Sequence, residues 1–151
     1  MSLTVTPGDP RDPAATALLQ ASHTLMQELF PPEDNHYLSI DALCGPGIRF
    51  FTATRDGRTL GCAALALRDD YGEIKSMFVA PEARGTGAAD ALMQALEAEA
   101  RANTLPLLRL ETGDSLHAAH RLYARHGFTE CGPFGDYAPG GSSLFMEKPL
   151  A

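Results

Sequence analysis

Val79-Ala80-Pro81-Glu82-Ala83-Arg84-Gly85-Thr86-Gly87-Ala88-Ala89 is the stretch that decides the fold. It stands between a run of strand-forming residues and a run with helical periodicity. Gly85 and Gly87 let backbone N–H groups approach a bulky anion, and the start of a helix adds unpaired donors and the positive end of a dipole. Arg84 adds a formal charge, and the small Ala88 and Ala89 keep the first turn close to whatever binds there. Such a turn suits a phosphate or pyrophosphate. A Walker loop ends in Gly-Lys-Ser/Thr, and no lysine follows Gly87. A dinucleotide fingerprint needs G-x-G-x-x-G directly after the strand. Here Asp90 takes the third glycine's place, and residues 80–84 separate the strand from Gly85. Glu111 falls roughly where a ribose-binding acid would sit, so a dinucleotide-binding protein stays as an alternative.

Upstream of this loop, residues 73–79 read as a strand. Residues 48–54 and 59–67 are two more, separated by Arg55-Asp56-Gly57-Arg58, in which Asp-Gly is a strong hairpin signal. Residues 3–6 read as a short first strand. Asp12 then Pro13 is an N-cap followed by proline at the first helical position, which predicts a helix to about residue 29, before Pro31-Pro32. Residues 36–43 are expected to form a short second helix. Downstream, the spacing of Leu92, Ala95 and Leu96 predicts a helix over 86–103. A strand at 105–111 and a helix at 115–126 follow, with Gly127 as the left-handed C-terminal cap. Residues 128–131 and 142–147 read as late strands around a Gly- and Pro-rich loop at 133–141. The 73–111 unit is a β-α-β crossover, so its two strands should be parallel.

Two motifs carry a family resemblance. Arg84-x-x-Gly87-x-Ala89 matches a Q/R-x-x-G-x-G/A signature, preceded by Val79-x-Pro81-x-x-Arg84. Leu122-Tyr123-Ala124-Arg125-His126-Gly127-Phe128 matches L-Y-x-x-x-G-F. In this order and on these elements the chain resembles the GNAT superfamily of acyl-CoA-dependent N-acetyltransferases, over roughly residues 48–148. Phe30-Pro31-Pro32-Glu33-Asp34-Asn35-His36, Gly132-Pro133-Phe134-Gly135-Asp136-Tyr137 and Ser143-Leu144-Phe145-Met146-Glu147-Lys148 are similar to a bacterial subgroup of small acetyltransferases. The resemblance implies one α+β domain over 1–151. Its mixed, mostly antiparallel sheet of six to seven strands would carry about four flanking helices and one parallel β-α-β unit splayed to admit CoA.

By the same resemblance, acetyl-CoA is the cosubstrate. Its pantetheine would bond to the backbone of Met77 and Val79, and its pyrophosphate would sit on the N–H groups of Arg84, Gly85, Thr86, Gly87, Ala88 and Ala89. The N–H of Met77 or Phe78 would serve the oxyanion. Tyr123 would protonate the departing thiolate and Glu73, six residues before Val79, would act as general base through water. Against that, Tyr123 could simply pack on a helix face, and Glu73 could be a strand residue paired with Lys75. Glu33, Asn35, His36 and Tyr137 are the expected acceptor contacts. Where relatives carry an asparagine early in the penultimate helix, this chain has Leu116, which cannot make the amide hydrogen bond to the cofactor.

The 151 residues fit one domain. With 12 Lys plus Arg against 19 Asp plus Glu, the formal charge is −7. That balance argues against nucleic-acid binding, which draws on excess cations to displace counterions, and against anionic membranes. A local phosphate site of backbone N–H groups is compatible with it. No run of about 18 apolar residues spans a membrane, and the start of the chain lacks the basic and apolar regions of a secretory signal. Cys44, Cys62 and Cys131 match no zinc pattern, and His117 with His120 would be two ligands without a third, so no metal is expected. A reduced, cytoplasmic setting follows. The expected function is acetyl transfer to a primary amine of a small molecule or peptide, with a non-catalytic CoA-binding module as the alternative. Polyamine, amino acid, antibiotic and protein N-terminus all stay open as acceptors. Oligomeric state is open too, a homodimer being the commonest symmetric form.

Overall fold

The computed structural model describes residues 3–150. The proline-opened helix, α1 (Pro13–Leu29), ends at Phe30, where Pro31 and Pro32 forbid continuation. Asp12 holds the N-cap position without a side-chain capping bond. The next expected helix is shorter: α2 covers only Ile40–Leu43, with Ser39 accepting from the Ala42 N–H at 3.1 Å. Residues 35–39 are instead extended or irregular, because the His36 carbonyl is taken by the Lys75 ammonium at 2.8 Å.

Seven strands form one sheet in the order β1-β2-β3-β4-β5-β7-β6. β1 is Thr4–Pro7, β2 Ile48–Arg55, β3 Arg58–Leu67 and β4 Gly72–Val79. β5 is Leu107–Gly113, β6 Thr129–Cys131 and β7 Ser143–Pro149. The β2–β3 turn at Asp56-Gly57 has positive φ at both positions, 53° and 76°, as a primed hairpin turn requires. α3 is Ala88–Ala102 and α4 His117–Arg125, so four helices flank the sheet. β3 is buried at every position from 60 to 66, the pattern of a strand covered on both faces, and α1 and α3 both pack against it. Cys62 lies in this core, fully buried, where burial pushes its thiol up to about 12. No helix among the described residues is long and apolar enough to cross a membrane.

The one parallel pair is β4 with β5, and it lasts only from Gly72↔Leu108 to Ile74↔Leu110. Beyond it the strands part. The cause lies on the other edge of β4. Cys62 pairs with Phe78 and Ala64 with Lys75, so Ala63 alone faces both Ser76 and Met77. Two residues against one make a β-bulge, which bends and twists its strand. Ser76 stands there at φ 56°.

Gly113 ends β5 against Phe30. A Cβ at that position would overlap the Phe30 ring. Gly113→Ala must push the ring out of place, so unfolding by urea should show a loss of about 1–3 kcal/mol. An unchanged midpoint would refute this close approach.

Candidate active site

Where β4 and β5 part, a cavity of about 130 Å³ opens. Its wall combines Lys75, Ser76 and Met77 of β4 with Glu111 and Thr112 of β5 and Tyr123 of α4. Asn35 and His36 close it from the segment after α1. Past Ile74, β4 has no partner on its β5 side. Its backbone groups there form an exposed edge of the kind an extended chain can join.

Seven residues past Met77 of the bulge, the phosphate-type turn begins at Arg84 and is built as its glycines require. Gly85 and Gly87 both take left-handed φ, 82° and 89°, and a Cβ at either would meet open space. The requirement is therefore conformational, and the surface above the glycines is clear. Gly87 is the N-cap of α3, which starts two residues later than its periodicity suggests because a left-handed residue cannot join the helix. The Arg84 and Thr86 N–H groups turn inward, to the carbonyls of Pro81 at 3.4 Å and Ala83 at 3.3 Å. The Ala88 N–H lies 3.4 Å from the Thr86 hydroxyl. The first intrahelical bond is Ala91 to Gly87 at 3.0 Å, which leaves the N–H groups of Gly87, Ala89 and Asp90 ahead of it as the open donors of a helix start. Arg84 is exposed beside them.

Tyr123 is placed by α4, whose last turn is clasped to the start of α3. Asp90 accepts from Arg125 at 3.0 Å and from His126 at 2.7 Å. These bonds, His126 first, hold the Asp90 carboxyl below its ordinary range. Gly127, at φ 90°, caps the helix. Tyr123 is buried, and burial raises its phenol well above the usual value; the nearby Glu111 charge raises it further. Leu116 sits at the α4 N-cap with no side-chain capping bond and lines the cavity.

The two carboxylates of this region have different surroundings. Glu73 is only 2% exposed and is not part of the cavity wall. Arg68 bonds one of its oxygens at 3.0 and 3.3 Å. The Tyr137 hydroxyl donates to the other at 2.5 Å, and the Lys75 ammonium lies 3.3 Å from it. Lys75 also donates to the Tyr137 oxygen at 2.7 Å. Burial and then the bond to Glu73 keep the Tyr137 phenol protonated. Glu111 faces the cavity. One oxygen accepts from Ser143 at 2.8 Å. Burial pushes its carboxyl up, while the Ser143 bond and the charges of His36 and Lys75 pull it part of the way back.

Of the expected acceptor contacts, Asn35 and His36 reach the cavity wall. Tyr137 stands behind Lys75, with its ring edge-on to His36 at 5.2 Å. Glu33 points outward, exposed, on the single turn Pro32–Asp34. Its neighbour Asp34 takes the inner place and accepts from the Ser142 N–H and hydroxyl at 3.2 and 2.8 Å. Sequence reading missed Asp34, Ser76 and the cavity side of Glu111. A signal for the last exists: Leu108 and Leu110 alternate inward, so Arg109 and Glu111 share the opposite face. Among the described residues, no three His, Cys, Asp or Glu side chains group closely enough to hold a metal.

A family model described as the acetyltransferase (GNAT) family matches residues 15–128. An "IAA acetyltransferase" of Azospirillum brasilense is 42% identical over 151 residues, 99% of either chain. A solved structure from Klebsiella pneumoniae, provisionally assigned as an acyl-CoA N-acyltransferase, superposes with TM-score 0.83 at 34% identity, covering 99% of this chain and 98% of that one. The PaiA N-acetyltransferase of Thermoplasma acidophilum, solved in complex with coenzyme A, has TM-score 0.75 over 99% of both chains. At 16% identity, that likeness speaks for the fold alone.

Proposed function

The chain belongs to the GNAT acetyltransferase family, and on that premise we propose that it moves the acetyl group of acetyl-CoA to the primary amine of a small acceptor, by direct attack in a ternary complex. One observation carries this reading: an unpaired β4 edge, a half-buried carboxyl and a buried phenol converge on one cavity at the point where the parallel strands part. The open β4 edge at Met77 and Val79 suits the amides of pantetheine. The N–H groups of Gly85, Gly87 and Ala89, with Arg84 beside them, suit the pyrophosphate.

Two protons must leave the amine nitrogen and one must reach the sulfur. An alkylammonium titrates near 10.4, so at pH 7 only about one amine in a few thousand is free to attack. Glu111 accepts the ammonium proton, directly or through one water. The amine nitrogen then bonds to the thioester carbon, whose oxygen takes negative charge beside the Met77 or Phe78 N–H. As the tetrahedral adduct collapses, the carbon–sulfur bond breaks, Tyr123 gives its proton to the sulfur, and the second proton on the attacking nitrogen passes to the resulting phenolate, which leaves a neutral amide and restores the phenol. We assign the base role to Glu111 in place of Glu73, since Arg68, Lys75 and Tyr137 already occupy both Glu73 oxygens. Glu73 orients Lys75 and Tyr137, which shape the cavity wall from behind.

A cavity of about 150 Å³ accommodates a benzene-sized guest. The 130 Å³ here therefore admits the reacting end of a small amine. The test is calorimetric titration with acetyl-CoA, followed by thiol release with a panel of primary amines. Saturable binding below about 1 mM, and thiol release fastest with unbranched small amines, is the expected result. Absence of binding in that range rejects the proposal. Binding without thiol release for any amine supports a non-catalytic CoA-binding module instead.

A further inference from the structure

Arg55 ends β2 at the hairpin whose tip stands beside the phosphate-type turn. Its cross-strand neighbour is Arg58, a like charge. Its Nε is closed off from solvent and has no hydrogen-bond partner among the described residues. Its one polar contact among the described residues is a long bond from Nη2 to the Thr86 carbonyl, at 3.4 Å. That carbonyl lies just ahead of α3, at the positive end of the helix dipole, where a cation is disfavoured. A half-buried guanidinium in this position, with no carboxylate paired to it among the described residues, is costly unless an anion completes it.

The peptide geometry adds a second point. In a trans peptide the carbonyl and the following N–H point in opposite directions. Holding the Thr86 carbonyl therefore turns the Gly87 N–H to the other side, away from the hairpin. Gly87 is left-handed and exposed, so its peptide has little else to fix it.

We propose that Arg55 is a positioning residue for the phosphates of the acyl donor. It holds the Thr86–Gly87 peptide with its N–H toward the pyrophosphate, and supplies from behind the loop a charge that the bound anion neutralises. This inference rests on the acetyl-CoA reading above.

The test compares two acyl donors. Acetyl-CoA carries the pyrophosphate, and S-acetylpantetheine has the same reacting end without it. Arg55→Met should raise KM for acetyl-CoA about tenfold, the scale of one hydrogen bond to a charged group. It should leave kcat within about twofold and KM for S-acetylpantetheine unchanged. Arg55→Lys keeps the charge but loses the planar fork, and should raise KM for acetyl-CoA by about threefold. This second variant decides the matter if the first does not fold. Equal rises for both donors would show a general structural role and overturn the proposal, as would an unchanged KM for acetyl-CoA in both variants. A wild-type protein that turns over neither donor overturns the acetyl-CoA reading itself, and this inference with it.

Discussion

Tyr123→Phe should lower kcat by about 10² to 10³, within the usual contribution of a positioned acid, and leave KM for acetyl-CoA within about twofold. The substitution removes one oxygen and keeps the ring, which packs 5.9 Å from Phe128. The fold should therefore survive, and a thermal melt checks this. A phenol raised by burial is at first sight a weak acid for a thiolate. The thiolate, however, is formed in the same dry surroundings. Within this protein, burial carries the Cys62 thiol up to about 12, and a leaving sulfur in the cavity meets the same desolvation. Desolvation moves donor and acceptor in the same direction. Burial also guarantees that Tyr123 holds its proton at every pH of interest. A Phe variant that turns over at the wild-type rate would remove Tyr123 from the mechanism.

Glu111→Gln should cost about 10² in kcat/KM and change the shape of the pH profile. A base must be ionised to act. Because burial raises the Glu111 carboxyl above the ordinary range, wild-type kcat/KM should fall on the acid side at a pH above the usual carboxylate region near 4.3. In the Gln variant that limb should vanish, leaving only the tenfold-per-unit rise of the free-amine fraction. The same limb in wild type and variant would exclude Glu111 as the base. Glu73→Gln offers the contrast. It should keep the limb and raise KM for the acceptor, because it loosens Tyr137 and Lys75 without touching the reacting atoms.

Stability gives an independent sign. The folded chain holds the Glu111 proton more tightly than the unfolded chain does. The stability this group contributes is therefore present below its unfolded value and lost as pH rises through the raised folded value. At neutral pH the ionised, buried carboxylate is a cost. Gln can still accept from Ser143, so Glu111→Gln should melt no lower than wild type at pH 7 while losing activity. That pairing of a steadier fold with lost activity is the trade-off expected of an active-site group.

Much of the frame was legible in the chain because it depends on neighbours. Pro13 and the Pro31-Pro32 pair bound α1 by removing N–H groups and fixing φ. Asp56-Gly57 sets the β2–β3 turn through two positive φ angles. Gly85 and Gly87 mark the strand–turn–helix unit for the same local reason, and Leu122 to Phe128 marks the helix that carries Tyr123.

What only the tertiary structure decided depends on residues far apart in sequence. The bulge at Ser76 exists because one residue of β3 faces two of β4, and that register is a property of the pair. On paper Glu73 is the expected base, and Glu111 enters only as a ribose-binding acid of the dinucleotide alternative. They separate when Arg68 and Tyr137, the latter 64 residues away, bond the first and leave the second facing the cavity. Residues 36–39 have the composition of a helix start and do not form one, since Lys75 claims the His36 carbonyl across 39 residues. Periodicity shows which face of an element a side chain takes. Which partner waits at that face is set by the closure of distant segments on one another, and at this site that closure decides which carboxyl faces the cavity.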